Sequence, residues 1–170
     1  KGRARCASPE RLLAQFTYLA ESFQAREFFV VDDQFAQDRR ETIRFCNMLR
    51  DYQNQRNLKF FITIQIRLEL ARDGELLNAM REANIRCLAI GFESVIDEEL
   101  RAMGKGLRAS EMHKLVQSYR HQGFLIHGMF IFGYPMREGV FFNMPVKERI
   151  DCFRKFIHKA KLDTVQVLLP

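Results

Sequence analysis

The 170 residues carry 27 basic and 21 acidic side chains, a net charge of +6, and 47% of them are hydrophobic. That composition excludes a disordered chain, and no apolar run reaches the roughly 20 residues that a membrane-spanning helix requires. The four cysteines, Cys6, Cys46, Cys87 and Cys152, are far apart, with no CxxC and no CxxxCxxC, which excludes a zinc or iron–sulfur motif within this sequence.

Ser8 followed by Pro9 reads as an N-cap and first helical residue, and Leu12, Phe16, Leu19 and Phe23 then recur at helical spacing. Residues 27–31 (EFFVV) form a short β-rich run that ends in Asp32, Asp33 and Gln34. A helix over 37–55 is expected to turn Ile43, Cys46, Leu49 and Tyr52 inward. Residues 59–66 make the next strand, which becomes polar at Thr63, Gln65 and Arg67. Asp73 caps a helix carrying Leu76, Leu77, Met80 and Ala83.

The run 86–94 is a strand ending in Glu93 and Ser94, followed by a short helix up to the Gly104-Lys105-Gly106 break. Ser110 is expected to cap a further helix, with Met112, Leu115, Val116 and Tyr119 as its stripe and Gly123 as its stop. Residues 124–132 form a strand leading to Gly133, Tyr134 and Pro135. Residues 136–144 read as loop, and Pro145 opens a helix with Val146, Ile150, Phe153 and Ile157 inward. The last strand is 164–169.

Strands thus begin near 27, 59, 86, 124 and 164, with a helix between each pair. This alternation implies parallel strands joined by right-handed crossovers, hence an α/β fold in one domain. Parallel architectures bind ligands at the carboxyl ends of their strands. The polar residues gather at those ends: Asp32 and Asp33, Gln65 and Arg67, Glu93 and Ser94, Gly133 and Tyr134. Acids, an amide and an arginine at four strand ends point to a site for a small charged ligand, expected in a hollow shared by Asp33, Arg67 and Glu93.

The ordered segments Phe29-Val-Val-Asp-Asp-Gln-Phe35, Thr63-Ile-Gln-Ile-Arg67, Gly91-Phe-Glu-Ser94 and His127-Gly-Met-Phe-Ile-Phe-Gly133 resemble the radical S-adenosylmethionine (SAM) superfamily. They are most similar to the branch whose members often carry a cobalamin-binding domain. The resemblance implies a partial (β/α)6 TIM-like barrel whose second to sixth strands are present. The first strand, and the CxxxCxxC loop that holds a [4Fe–4S] cluster, are expected upstream of Lys1. The chain lacks an initiator methionine and stops after an apolar run, so both ends are expected to be cut from a longer protein.

The resemblance also implies roles. Asp32, Asp33 and Gln34 match the segment that meets the methionyl ammonium of SAM, with Asp33 alternatively an N-cap. Arg67 suits the methionyl carboxylate, or an ion pair with Glu93. Glu93 and Ser94 match the ribose-contacting strand end. Gly128 and Gly133 match the adenine-facing strand, though close helix–strand packing explains a glycine there equally well. Val167 and its neighbours offer apolar surface to adenine. His127 is either an acid/base or a satisfied core histidine, and Tyr134 is a substrate-contact candidate.

The implied function is a SAM-binding core for reductive SAM cleavage and radical modification, methyl transfer included. The implied cofactors are SAM, a [4Fe–4S] cluster with ligands outside the chain, and cobalamin in another domain; the fragment alone is expected to be inactive. Two other classes remain: an α/β-barrel enzyme binding a divalent metal through Asp32, Asp33 and Glu93, or a non-catalytic barrel remnant that binds RNA or protein. Basic residues such as Arg39, Arg44 and Arg56 are scattered, so nucleic acid is not an expected partner, nor is a membrane. A cytosolic protein without disulfides is expected. Lacking its first strand, the barrel should leave the strand at residue 27 as an exposed edge open to self-association.

Overall fold

The structure, a computed structural model, describes residues 7–133 and 142–169. Its elements are α1 (Pro9–Ser22), β1 (Glu27–Val30), α2 (Arg39–Gln55), β2 (Phe61–Gln65), a 3-10 turn (Leu68–Arg72), α3 (Gly74–Glu82), β3 (Ile85–Glu93), α4 (Asp97–Ala102), α5 (Ala109–His121), β4 (Leu125–Ile131), α6 (Val146–Ala160) and β5 (Thr164–Leu168). The five strands form one parallel sheet in the order β1-β2-β3-β4-β5. The register runs from Glu27 opposite Phe61 to Val30 opposite Ile64, and from His127 opposite Thr164 to Ile131 opposite Leu168. The order never reverses, so each strand is laid down beside its predecessor through a helical crossover, as in part of a singly wound α/β barrel. β1 ends the order, and Phe29 and Val31 are exposed.

The chain divides into two compact units, residues 1–65 with 73–87 and residues 66–72 with 88–170. In the first, aromatic rings fill the space between helices and strands. Phe16 of α1 lies 4.6 Å from Phe28 and 5.6 Å from Phe45, and Phe28 lies 4.9 Å from Phe60. Edge-on and tilted rings at these separations add specific attraction to the burial of apolar area. Gln53 is buried among them with every polar function satisfied. Its amide nitrogen donates to the Leu49 and Ala83 carbonyls, and its oxygen accepts from the Phe60 N–H and the Asn84 amide. One side chain thereby ties α2 to the starts of β2 and β3.

In the second unit Phe92 stacks on Phe130 at 5.3 Å, and Phe153 and Phe156 of α6 pack edge-on against that pair. Tyr119 is fully buried, and its hydroxyl donates to the Arg67 carbonyl at 2.7 Å. Burial drives its pKa upward, so the phenol stays a donor at any physiological pH.

Some expectations about faces and caps change. The α1 stripe is Pro9, Phe16 and Ala20, while Leu19 and Phe23 are exposed. On α2 Phe45 and Gln53 replace Ile43 and Tyr52 as inward residues. On α6 Phe153, Phe156 and Ala160 are buried, whereas Val146 and Ile150 are exposed. The α2 cap is Asp38, which accepts from the Glu41 N–H, and not Asp33. α5 starts two residues early, with Arg108 rather than Ser110 at the cap and Glu111 reaching back to its N–H. The 3-10 turn, which buries Leu68 and Ala71, is too short for a periodic signal.

Asp73 does cap α3, accepting from the Leu76 N–H at 3.1 Å. It also takes a two-point ion pair from Arg39, at 2.5 and 3.0 Å. The guanidinium holds the Asp73 carboxyl below its usual range. A depressed carboxylate stabilises the fold fully above its unfolded pKa of about 3.9, and that contribution is lost as pH falls through the folded value. Asp73→Ala in the intact protein should therefore lower unfolding free energy by about 1–2 kcal/mol at pH 7. Urea titrations should show the gap between parent and variant closing as the pH is taken down toward 3.

Candidate functional site at the strand exits

In the first unit the chain leaving β1 turns at Asp32, whose carboxylate accepts from the Gln34 N–H at 3.0 Å. Asp32 and Asp33 stay exposed, and Gln34 is half-buried. Phe35, buried against Phe45, donates its N–H to the Gln65 carbonyl at the end of β2. That bond joins the two strand exits, so Asp32, Asp33, Gln34 and Gln65 occupy one rim. Beside them a cavity of about 380 Å³ runs between α1, β1 and the start of α2, with apolar walls and Asp32, Asp38 and Glu41 at its lining.

In the second unit β3 ends in a strained turn. Glu93 has φ of 63°, and the Ser94 N–H reaches back to the Phe92 carbonyl at 2.8 Å. An i to i+2 bond around a left-handed centre is the rare, strained γ-turn, and a β-carbon makes it costlier than it would be for glycine. The Glu93 side chain folds back over Gly91. A β-carbon at residue 91 would lie 2.6 Å from the Glu93 carboxylate, so Gly91 leaves room for the side chain in this folded-back position. Lys105 Nζ sits 3.3 Å from the Gly91 carbonyl and 3.5 Å from Glu93 Oε1. The carboxylate remains partly open to solvent, with 29% of its side chain exposed.

Ser94 points the other way. It is fully buried, accepts from the Ile96 N–H at 3.1 Å and donates to Glu99 Oε2 at 2.5 Å. Glu99 is fully buried too, and its second oxygen pairs with Arg149 of α6 at 2.5 Å. The Arg149 guanidinium lies over the Phe132 ring, 5.7 Å from its centre.

The other expected residues separate by role. Arg67 is exposed, and the cation beside Glu93 is Lys105 rather than Arg67, the ion-pair alternative. Gly128 is a packing glycine: an added β-carbon would lie 2.7 Å from Leu162 and 3.0 Å from Phe130. Gly133 has φ of 87°, which its turn after β4 requires. Val167 lies on β5 with 47% exposure. His127 is held by the Thr164 hydroxyl at 2.8 Å, the satisfied state of a half-buried histidine. Tyr134 lies outside the described residues.

No protein-family model matches the chain. A methyltransferase of Synechocystis, sll1242, itself uncharacterized, is 29% identical over 98 residues, which cover 58% of this chain and 18% of that protein. The hopanoid C-2 methylase of Rhodopseudomonas palustris is 25% identical over 101 residues, 59% of this chain and 19% of its own. The chain therefore spans less than a fifth of either relative. Among solved structures, the radical SAM methyltransferase TsrM of Kitasatospora setae, with cobalamin and a [4Fe–4S] cluster bound, superposes with a TM-score of 0.73 over 95% of this chain and 31% of its own, at 14% identity. The fold is that of the radical SAM enzymes.

Among the described residues the fold groups no cluster ligands. Cys46 is buried in the first unit, and burial pushes its thiol up to about 12, the opposite of what a thiolate ligand needs. Among the described residues no three His, Cys, Asp or Glu side chains are grouped to hold a metal ion. Cys6 lies outside them. The described residues do not fit an iron–sulfur cluster. Nor does any helix among the described residues have the length and hydropathy to cross a membrane.

Sequence reasoning missed Gly91, Lys105, Glu99 and Arg149. The Gly-Lys-Gly break marked Lys105 as punctuation only. Glu99 belongs to the acidic run 97–99, which reads as the solvated first turn of a helix. Its one signal is helical phase, since it neighbours the buried Leu100. Gly128→Ala should destabilise the intact protein by about 1–3 kcal/mol through overpacking. Thermal unfolding checks this, and an unchanged midpoint would return Gly128 to the ligand surface.

Proposed function

We propose that this chain is the SAM-binding core of a radical SAM enzyme whose intact form transfers a methyl group. The observation that carries the reading is Glu93: a half-open carboxylate on strained backbone at the carboxyl end of a parallel strand. Strain of this kind concentrates at functional sites, and strand carboxyl ends are where α/β folds bind ligands. A carboxylate has acceptor capacity for both hydroxyls of a ribose, which is the role we assign to Glu93.

In the same reading the exposed Asp32 and Asp33, with Gln34 and Gln65, take the methionyl ammonium, and the exposed Arg67 takes the methionyl carboxylate. Gly133 and Val167 serve the adenine side. Ser94, spent on Glu99, acts on the ligand only through its neighbour. Reductive SAM cleavage at a [4Fe–4S] cluster and the use of cobalamin extend the reading to the intact protein, and we assign neither group to residues of this chain. The methyltransferase relative, the hopanoid methylase and the TsrM fold support methyl transfer as the reaction class. Self-association through the β1 edge belongs to the same proposal and rests on the exposed Phe29 and Val31.

The test is calorimetric titration of the intact protein with S-adenosylhomocysteine. Glu93→Gln should weaken binding by about tenfold or more, the worth of charge-assisted bonds to a buried-edge ligand. Equal affinity of parent and variant would remove Glu93 from the site and the reading with it.

A further inference from the structure

Glu99 is an anomaly unless it has a task. An apolar residue at this position would pack beside Leu100 without the cost of desolvating a carboxylate. One oxygen is instead hydrogen-bonded to Ser94, and the other is held by the charge of Arg149 at 2.5 Å without hydrogen-bond geometry. Arg149 has 12% of its side chain exposed, and its only charge partner among the described residues is Glu99.

The line of contacts ends at the strained turn. Ser94 closes the γ-turn around Glu93 with its N–H, and its hydroxyl is locked between the Ile96 N–H and Glu99. A left-handed non-glycine residue persists only where its surroundings over-determine it. Here the surroundings are a buried ion pair joining α4 to α6, transmitted through one serine. Relaxing the turn to ordinary extended backbone would swing the Glu93 carboxylate off Gly91 and away from Lys105.

We propose that Glu99 and Arg149 are positioning residues for Glu93, holding its carboxylate in the ligand-binding orientation through Ser94. The proposal rests on the ribose-binding reading of Glu93 for its functional meaning, but its structural content stands separately. The buried pair sets the backbone of residue 93; Glu93 alone meets the ligand.

Two measurements on the intact protein test it. In the crystal structure of Glu99→Gln, φ of residue 93 should leave the left-handed region; a turn that persists overturns the proposal whatever the ligand does. S-adenosylhomocysteine titrations then complete a cycle over Glu93→Gln, Glu99→Gln and the double variant. Glu99→Gln should weaken binding about tenfold in the parent and less than about twofold once Glu93 is gone. A 2′-deoxyribose analogue of the ligand should lose less than the parent ligand does. Equal losses in both backgrounds mean a general structural role and overturn the proposal. No loss from Glu93→Gln itself defeats the ribose reading, while the crystal structure still decides the positioning claim. Ser94→Ala, which deletes one oxygen and keeps the ion pair, serves both measurements if Glu99→Gln does not fold.

Discussion

A carboxylate without solvent access must be paired, and the second unit is arranged around meeting that demand for Glu99. One oxygen accepts from Ser94 after the end of β3, and the other is met by the charge of Arg149 from the first turn of α6, without hydrogen-bond geometry. Arg149 is in turn steadied over the Phe132 ring. The contact therefore joins the exit of one strand to the helix that follows the next. In the same unit Phe92, Phe130, Phe153 and Phe156 pack into one aromatic cluster. Ser94 also closes the strained turn that presents Glu93. The Glu99 end of this contact is fully buried, and the Arg149 end is 12% exposed.

The first unit solves a similar problem with neutral groups. Gln53 sits among apolar neighbours, yet four hydrogen bonds satisfy its amide. It binds backbone at three places, where a hydrophobic side chain would leave the Phe60 N–H and the Ala83 carbonyl without that partner. At the rim, the backbone bond from Phe35 to Gln65 does for β1 and β2 what Ser94 does for β3: it fixes how the chain turns away from the sheet. Asp32 contributes through its own short turn, and Asp33 beside it stays exposed.

The strands were legible because a buried parallel strand is a short apolar run, and all five begin within two residues of where the pattern puts them. Caps chosen for side-chain chemistry were legible too, at Ser8 and Asp73. What failed was phase. Phe23 at the end of α1 and Ile150 on α6 are apolar and helically spaced, yet exposed, because periodicity marks a stripe without saying where neighbouring elements stop covering it. At the site, the polar strand ends were visible one by one. The division of labour within Glu93-Ser94 was not, since adjacent residues leaving a strand face opposite ways and only the turn geometry decides which one faces the core.

Gly91 and Gly128 show why glycine spacing alone misleads. Both sit inside strands and both precede a phenylalanine or lie two residues from one, and the resemblance gave only Gly128 a place near the nucleoside. A β-carbon at Gly128 would strike Leu162 and Phe130, so its smallness serves the protein's own packing. A β-carbon at Gly91 would strike nothing but the Glu93 side chain. Its smallness serves the folded-back carboxylate and, through the Gly91 carbonyl, the Lys105 ammonium that faces it. Lys105 brings a positive charge to the Glu93 carboxylate, and its 3.5 Å separation leaves that carboxylate with acceptor capacity to spare. Gly91, Glu93 and Lys105 thus form one unit in which strain, space and charge each have a separate source, and losing any one of them disturbs the same carboxylate.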